Sequence, residues 1–312
     1  MKFFSITSAE NFDSHFQDPG WADAVKEICT RHRIRFGRIN RAAGSEHVVF
    51  LIDDKLVVKI YRPARNCFDR EKRALEIVGE KCKLETPAIV EAGEFGSLNY
   101  LVTTQLRGLP MTRAEWLQLS QIEEIEIVSQ LAENLRSIHS LTLGRNECDW
   151  PEFTKDRAAT FVKRQIALGV GRHIIDALPA YIDENLKLVP TTPMVFLHGD
   201  VHFGNLRLVK NKNRWRISGL FDFADSRWGF HEYDFLAVGV LMLQGQREIQ
   251  QQFLRAYGYR DDQLDEKFRK RLMMLTMLYE TSDLRRYAMR LRPEAVNYTL
   301  DELEKAIWSF AN

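Results

Sequence analysis

The segment 198–205 places a carboxylate and an amide at a spacing that suits phosphoryl transfer. It reads HGDVHFGN, so four residues separate Asp200 from Asn205. A further aspartate, Asp222, follows the next predicted strand, within the segment LFDFAD at 220–225. Transfer of a phosphoryl group from ATP needs one carboxylate near the attacking hydroxyl, and it needs a second carboxylate and an amide oxygen that hold magnesium against the phosphates. Asp200, Asn205 and Asp222 fit these three roles.

A lysine inside an apolar strand is the next candidate for the same chemistry. Lys59 lies in the segment LVVKI at 56–60, where a charged side chain requires a partner or a ligand. Glu71 lies in the helix predicted next along the chain. A strand lysine that pairs with a helix glutamate and binds the nucleotide phosphates is the arrangement of kinases. Gly44-Ser45 forms a turn that could present backbone N–H groups to a phosphate, although no GxGxxG motif is present.

Two kinds of structure must position these residues. Alternating apolar residues and turn signals predict strands over 35–40, 47–52, 56–61, 89–95 and 100–106. Helices are predicted over 22–31 and 68–78. Beyond Gly108-Leu109-Pro110 the chain is predicted to be helical, except for a strand over 194–197 and a hairpin over 206–210 and 215–221. The sequence therefore predicts a strand-rich domain over 1–107, which binds nucleotide, and a helix-rich domain over 108–312, which carries the catalytic and substrate-binding groups.

Two features permit other interpretations. His198 and His202 are four residues apart, as zinc ligands can be, but no third ligand accompanies them. We therefore expect His198 to be a structural hydrogen-bonding group. The arginine run over 31–41 alternates with apolar residues, which favours the solvated face of a strand over a phosphate-binding or nucleic-acid-binding surface.

Composition and charge exclude several classes of partner. The 44 basic and 43 acidic residues give a formal net charge of +1, so we expect binding neither to nucleic acid nor to an anionic membrane. The longest apolar stretch, 235–243, is too short to span a membrane.

The cysteines and the first residues predict a cytoplasmic location. Cys29, Cys67, Cys82 and Cys148 form neither a CxxC pair nor a zinc-ligand spacing, so we expect free thiols in a reducing compartment. The segment 1–6, MKFFSI, has too few apolar residues for a signal peptide.

Three motifs resemble those of a known family. They are HGD-x4-N at 198–205, ISGLFDFAD at 217–225 and YDFLA at 233–237, and they are similar to the motifs of the aminoglycoside phosphotransferase family. The resemblance extends over residues 34–237. It implies an α+β, bilobal protein-kinase-like fold with a strand-rich N-terminal lobe and a helical C-terminal lobe. It also implies MgATP between the lobes and phosphorylation of a small-molecule hydroxyl.

The resemblance assigns a role to each matching residue. Asp200 is the expected catalytic base, and Asn205 and Asp222 are the expected magnesium ligands. Lys59 resembles the phosphate-binding lysine, and Glu71 resembles its partner. The other expected groups are the inter-lobe hinge at 100–108 with the backbone from Thr104 to Leu106 at the adenine, the buried helix at 135–141, and Asp234 as an anchor of the catalytic loop.

Differences from the sequence motifs of protein kinases restrict the class of acceptor molecule. The sequence reads His-Gly-Asp where protein kinases have His-Arg-Asp, and the segment 223–233 is too short for a peptide-docking activation loop. A small-molecule acceptor follows. The family commonly has Gly-Asp-Pro where this sequence has Gly229-Phe230-His231, and this difference lies beside the expected site.

The resemblance favours an aminoglycoside-type antibiotic as the acceptor. The alternatives are a metabolite kinase with a choline-, homoserine- or sugar-like acceptor, and a non-catalytic nucleotide-binding module. An ammonium-bearing acceptor requires carboxylates around it, although the net charge of +1 gives no indication of an acidic surface. The candidate carboxylates are Asp225, Glu280 and Asp283, of which the last two are expected within a helix.

Overall fold

The computed structural model describes residues 6–63, 65–79, 81–141, 149–212 and 214–311. Cys148 and residues 1–5, on which the predicted location partly depends, lie outside the described residues. The chain divides into two compact units. The first unit comprises Met1–Gly108 and Ser218–Asp225, and the second comprises Leu109–Ile217 and Ser226–Asn312.

An antiparallel sheet forms the first unit. Within the described residues it has five strands, in the order β1-β2-β3-β5-β4. The strands are β1 (Ile39–Arg41), β2 (Val48–Ile52), β3 (Leu56–Ile60), β4 (Ile89–Phe95) and β5 (Leu98–Thr104). The helices of this unit are α1 (Ala9–Ser14), α2 (Trp21–Arg31) and α3 (Cys67–Val78).

The two faces of this sheet have different partners because side chains alternate along each strand. On one face Val58 and Ile60 are buried in a core that also contains Trp21 and Ile28 of α2. Lys59 lies between Val58 and Ile60, so it belongs to the opposite face. The strand period thereby separates the structural core from the functional lysine.

The strand predicted over 35–40 is present but starts later than expected, because pairing begins only at Ile39. The Asp53 carboxylate accepts hydrogen bonds from the backbone N–H groups of Gly37 (2.9 Å) and Arg38 (2.6 Å). These donors are therefore not available to a strand ladder.

The predicted arginine run does not form one strand face, since Arg31 ends α2 and β1 begins only at Ile39. Its solvated character is confirmed for the four exposed arginines, which are Arg31, Arg33, Arg35 and Arg38. Arg41 is half-buried, and its guanidinium lies 5.0 Å from the centre of the Phe16 ring.

The predicted hairpin at 89–106 is present with a shorter turn than expected. Strand β5 begins at Leu98, and Phe95 pairs directly with it. Leu98 is buried in the core, so burying its side chain extends the strand into the segment that the sequence assigned to the turn.

The second unit is mainly helical. Its first helices are α4 (Arg113–Trp116), α5 (Gln121–His139), α6 (Trp150–Ala167), α7 (Arg172–Ile175) and α8 (Leu178–Asn185). Its later helices are α9 (Phe235–Ala237), which continues as a π-helix (Val238–Leu243), α10 (Arg247–Tyr257), α11 (Glu266–Leu278), α12 (Leu284–Leu291) and α13 (Leu300–Ile307). Among the described residues, no helix combines the length and apolar composition needed to cross a membrane.

Short strands interrupt these helices where the catalytic motif lies. They are β6 (Val195–Leu197), β7 (Leu206–Asn211), β8 (Arg214–Leu220) and β9 (Arg227–Gly229). Strand β6 pairs with β9 in antiparallel fashion, and β7 pairs with β8. The segment 198–205 therefore connects two strands, and its two ends are held by separate pairings.

The α2 core predicts a matched pair of stability effects. Ile28 is fully buried, and Glu27 beside it has a side chain 65% exposed. We expect Ile28→Ala to lower the free energy of unfolding by about 2–5 kcal/mol. We expect Glu27→Ala to change it by less than about 0.5 kcal/mol. Urea unfolding of both variants tests this, and equal effects would contradict the assignment of α2 to the core.

Candidate functional site

Lys59 lies between two carboxylates in the first unit. Its Nζ is 2.6 Å from Glu71 Oε2 on α3 and 2.8 Å from Asp222 Oδ1. Burial alone would lower the pKa of Lys59, but the adjacent charges of Asp222 and Glu71 raise it above its ordinary value. The structure thus brings these three predicted residues together around a permanently charged ammonium group.

Tyr61 and His47 support this group, and the sequence analysis did not single them out. The Tyr61 hydroxyl donates a hydrogen bond of 2.6 Å to Glu71 Oε2. The rings of His47 and Tyr61 lie 5.0 Å apart. Burial, and secondarily the charge of Lys59, lower the pKa of His47 to about 3, so its imidazole is neutral. Tyr61 follows Lys59 by two residues, and the strand period of two was the signal that could have identified it.

Asp222 reaches Lys59 from a strained backbone position. Its φ is 66°, in the left-handed region that a residue with a Cβ adopts only at a cost of about 1–2 kcal/mol. The preceding segment is fixed, because the Leu220 N–H donates to the Glu85 carbonyl at 3.0 Å. The surrounding first unit therefore holds the Asp222 carboxylate in place despite this strain.

The predicted nucleotide-binding backbone lies in two loops of the first unit. Gly44 has a φ of 82°, and the Ser45 hydroxyl accepts a hydrogen bond from the His47 N–H at 3.0 Å. At the predicted hinge, the N–H groups of Thr104 and Gln105 donate to protein carbonyls at 2.9 and 2.8 Å. If adenine binds this predicted hinge through a backbone donor, that donor lies beyond Gln105, and Leu106 is the first such residue.

Asp234 anchors the catalytic-motif loop of the second unit. This carboxylate is 1% exposed, and it accepts hydrogen bonds from the backbone N–H groups of His198 (2.9 Å) and Gly199 (2.7 Å). His139 Nε2 lies 3.0 Å from the same carboxylate. Gly199 has a φ of 92°, which favours glycine. The backbone that carries Asp200 is thereby fixed immediately after β6.

The Asp200 carboxylate is held by two side chains. The Tyr279 hydroxyl donates to Oδ1, and His202 Nε2 lies 3.4 Å from Oδ2. His202 Nδ1 accepts a hydrogen bond from the Gly204 N–H, so Nε2 carries the proton. Burial would raise the pKa of Asp200, but the contacts with His202 and Tyr279 outweigh burial and lower it. Asp200 is therefore ionised at neutral pH.

Asn205 is oriented by the same loop. Its Nδ2 donates to the backbone carbonyl of Asp200 at 2.9 Å, so Oδ1 lies on the other side of the amide group. Amide and carboxylate oxygens are the ligands that Mg²⁺ prefers. Asn205 and Asp222 therefore have donor atoms that fit this ion. His198 Nδ1 accepts from the Asp200 N–H at 3.2 Å, which is a structural hydrogen bond.

The carboxylates considered for an ammonium-bearing acceptor contact protein groups. Asp225 Oδ1 lies 3.2 Å from Arg65 Nη1, and Glu280 pairs with Arg227. The prediction that Glu280 and Asp283 lie within a helix is wrong, because α11 ends at Leu278 and α12 begins at Leu284. The Asp283 carboxylate caps α12 by accepting from the Arg286 N–H at 2.9 Å.

The contacts of Tyr279, and those of Phe230 and His231 in place of the family's Asp-Pro, could not be predicted from the sequence pattern. Tyr279 lies 79 residues beyond Asp200, so only the fold brings it to the carboxylate. His231 stacks on Tyr257 with ring centres 5.4 Å apart, and its Nε2 lies 2.7 Å from the Tyr259 hydroxyl. Burial, and secondarily His139, lower the pKa of His231 to about 3. This departure from the family pattern thus builds an aromatic cluster.

The buried anchor predicts a large effect on stability. Asp234→Ala leaves the His198 and Gly199 N–H groups and the His139 ring without their acceptor, so we expect a loss of about 3–5 kcal/mol in the free energy of unfolding. Asp176→Ala is the matched control, because the side chain of Asp176 is 67% exposed. Denaturant unfolding measures both, and similar effects would contradict the anchoring role.

The Tyr279 hydrogen bond predicts a change in the ionisation of Asp200. Tyr279→Phe removes a donor to the charged form while burial persists, so we expect the pKa of Asp200 to rise. Titration of ¹³C-labelled aspartate carboxyl signals by NMR measures this, and Asp200→Asn identifies the signal. An unchanged or lower pKa in Tyr279→Phe would contradict the proposed balance between burial and hydrogen bonding.

Solved structures of similar fold support this description. Aminoglycoside 2′-phosphotransferase-IIIa in its GDP complex has a TM-score of 0.69 and 14% identity, over 92% of this chain and 98% of that chain. The streptomycin–ATP ternary complex of APH(2″)-IIa has a TM-score of 0.61 and 17% identity, over 93% and 98%. APH(3″)-Id from Streptomyces rimosus, with ADP and streptomycin, has a TM-score of 0.55 and 14% identity, over 82% and 98%.

At these identities the likeness concerns the fold alone, and it confirms the predicted α+β, protein-kinase-like fold. No protein of curated function matches the sequence significantly. The sequence pattern of the phosphotransferase enzyme family matches residues 39–269. This range includes Lys59, Glu71, Asp200, Asn205 and Asp222. The chain belongs to the phosphotransferase enzyme family.

Proposed function

We propose that the protein transfers the γ-phosphoryl group of ATP to a hydroxyl group of a small molecule. The observation that carries this proposal is the ionised Asp200 carboxylate, held by Tyr279 and His202 on a loop whose backbone Asp234 fixes. An ionised, positioned carboxylate suits a base that accepts the proton of an attacking hydroxyl. Its side chain is 28% exposed, which is consistent with access by an acceptor.

The proposed reaction is a direct displacement at the γ-phosphorus. The acceptor hydroxyl gives its proton to Asp200, and its oxygen forms a bond to phosphorus. The bond between phosphorus and the β–γ bridging oxygen breaks, and ADP leaves with that electron pair. Lys59 donates hydrogen bonds to phosphate oxygens, while Glu71 fixes its position. Positioning and charge neutralisation therefore account for most of the catalysis.

We assign magnesium binding to the Asn205 side-chain oxygen and the Asp222 carboxylate. Magnesium, when bound, neutralises negative charge on the phosphate oxygens. The resemblance proposed this ligand pair, and the donor atoms are of the right chemical type. The Lys59 contact keeps one Asp222 oxygen beside a positive charge, which favours the ionised carboxylate that a metal ligand requires.

For the acceptor, we favour a metabolite over an aminoglycoside-type antibiotic. The solved relatives bind aminoglycosides such as streptomycin, which carry several positive charges and require free carboxylates. Here Asp225 contacts Arg65, Glu280 contacts Arg227, and Asp283 caps a helix. Recruiting these carboxylates to a cationic acceptor would break existing contacts, and this would reduce the gain from binding.

Coupled ADP release from MgATP, measured against a panel of hydroxyl compounds, tests the proposal. The panel comprises sugars, sugar phosphates, sugar acids, amino-acid alcohols, choline and aminoglycosides. We expect one class to stimulate ADP release and Asp200→Asn to reduce the stimulated rate by about 10²–10⁴. Asp176→Asn, an exposed aspartate of the same unit, is the matched control and should retain the wild-type rate.

The outcomes separate catalysis from nucleotide binding alone. Calorimetric binding of MgATP with no stimulation by any panel member would favour the non-catalytic module. Stimulation that survives in Asp200→Asn would contradict the assignment of this residue as the base. Stimulation by aminoglycosides with no response to any metabolite would overturn our preference for the acceptor class while leaving the proposed reaction intact.

A further inference from the structure

A groove in the second unit concentrates positive charge. Its volume is about 520 Å³, and four arginines line it. Its remaining lining residues are two apolar residues and one carboxylate, Asp283. The arginines are Arg113 of α4 and three residues of α12, namely Arg285, Arg286 and Arg290. The volume lies within the range that small-molecule sites occupy.

These arginines lack protein partners. Within the described ranges, no carboxylate pairs with any of the four guanidinium groups, and the Nη1 atom of Arg290 is buried without a hydrogen-bond partner. The Asp283 carboxylate accepts from the backbone N–H of Arg286. Burial, and secondarily the charges of Arg286 and Arg113, lower the pKa of Arg290. Four positive charges thus line the groove against the single negative charge of Asp283.

An anionic ligand would resolve this arrangement. Like charges that line one groove repel one another, and an anion between them offsets that repulsion. The effect is largest at Arg290, which is half-buried, because water screens the exposed Arg113, Arg285 and Arg286. The planar arrangement of arginine N–H donors matches the oxygen pairs of phosphate and carboxylate groups. The buried Nη1 atom of Arg290 supplies a donor that needs an acceptor. The groove therefore has the chemistry of a phosphate or carboxylate subsite.

Two contacts connect the groove to the catalytic loop. Trp116, in the same short helix as Arg113, stacks on Phe203 of that loop with ring centres 6.2 Å apart. Tyr279, whose hydroxyl donates to Asp200, precedes Asp283 by four residues, which span at most about 14 Å. Helix α4, which lines the groove, thus contacts the loop of the proposed base directly, and the segment between α11 and α12 connects Tyr279 to the groove.

We propose that this groove binds a phosphate or carboxylate group of the acceptor, so that the substrate is an anionic hydroxyl compound. The inference rests on the proposed phosphotransferase function. The proposed acceptor differs from the streptomycin bound in a solved structure of similar fold, because the proposed acceptor is negatively charged and streptomycin is positively charged.

Matched acceptors test the charge requirement. Glucose, glucose 6-phosphate and gluconate, and likewise glycerol, glycerol 3-phosphate and glycerate, differ chiefly in the anionic group. We expect a charged member of a set to stimulate ADP release more than its neutral counterpart. Comparison of the phosphate and carboxylate members shows which of the two anions the groove takes. Stimulation only by neutral or cationic acceptors would overturn the inference while leaving the phosphotransferase function in place.

Arginine variants test the location. Arg286→Gln changes one exposed side chain, and Arg286→Gln/Arg290→Gln removes two charges. We expect these variants to raise KM for the charged acceptor by about tenfold or more, with a smaller change in kcat. Arg172→Gln is the matched control, because this arginine is 91% exposed and lies outside the groove. An equal effect in Arg172→Gln, or none in the double variant, would contradict the assignment.

A binding measurement tests whether the groove binds an anion, even if no member of the panel is an acceptor. Inorganic pyrophosphate is titrated calorimetrically into the protein in the presence of saturating MgADP, which occupies the nucleotide site. We expect saturable binding that Arg286→Gln/Arg290→Gln weakens and Arg172→Gln leaves unchanged. No saturable binding, or binding insensitive to the double variant, would overturn the inference. MgADP binding in the same series tests the nucleotide site separately. A failure of the proposed phosphotransferase function can therefore be distinguished from a failure of the groove assignment.

Discussion

The ammonium group of Lys59 can be buried only if negative charge accompanies it. Glu71 and Asp222 provide that charge, at 2.6 and 2.8 Å, because an unpaired buried ion would cost several kcal/mol. This constraint explains much of the first unit. It requires α3 beside the face of the sheet that carries Lys59, and it requires the chain to contribute the segment 218–225, which begins within β8, to the first unit. Removing either carboxylate would change the net charge around the Lys59 ammonium group, and it would therefore change the interaction of that group with a bound phosphate.

The second unit meets the opposite requirement in the proposed reaction, in which Asp200 must remain charged while a hydroxyl approaches it. Asp234 fixes the backbone through two N–H groups, and Tyr279 and His202 stabilise the ionised carboxylate. In the proposed reaction the two units therefore contribute different functions, phosphate binding and proton acceptance. We propose that the arginine groove adds a third, since it has an excess of positive charge and is lined in part by α4, which contacts the loop of Asp200. Together these features lead to our proposal of a phosphotransferase whose acceptor selectivity is set by charge.

Local sequence pattern predicted most of the fold, and it identified the residues that form the centre of the candidate site. Lys59 stands out because its strand is otherwise apolar, and Asp200 and Asn205 stand out because both lie in one short loop. Contacts made by distant residues were not predictable in this way. Tyr279 contacts Asp200 although 79 positions separate them in the sequence. Likewise, the Gly37 N–H donates to the Asp53 carboxylate, so β1 is shorter than the alternation of apolar residues over 35–40 predicts. Asp283 was misplaced for a similar reason, since helical periodicity continues across the break that follows Leu278.

The most direct measurement of the central claim follows the phosphoryl group itself. The protein is incubated with ATP labelled with ¹⁸O in its γ-phosphoryl group and with a cell extract of small molecules, and the products are analysed by mass spectrometry. Our account predicts a labelled phosphate ester with the wild-type protein and a loss of that product with Asp200→Asn. It also predicts that the ester carries a second phosphate or a carboxylate. Label found only in inorganic phosphate, or equal labelling by Asp200→Asn, would contradict it.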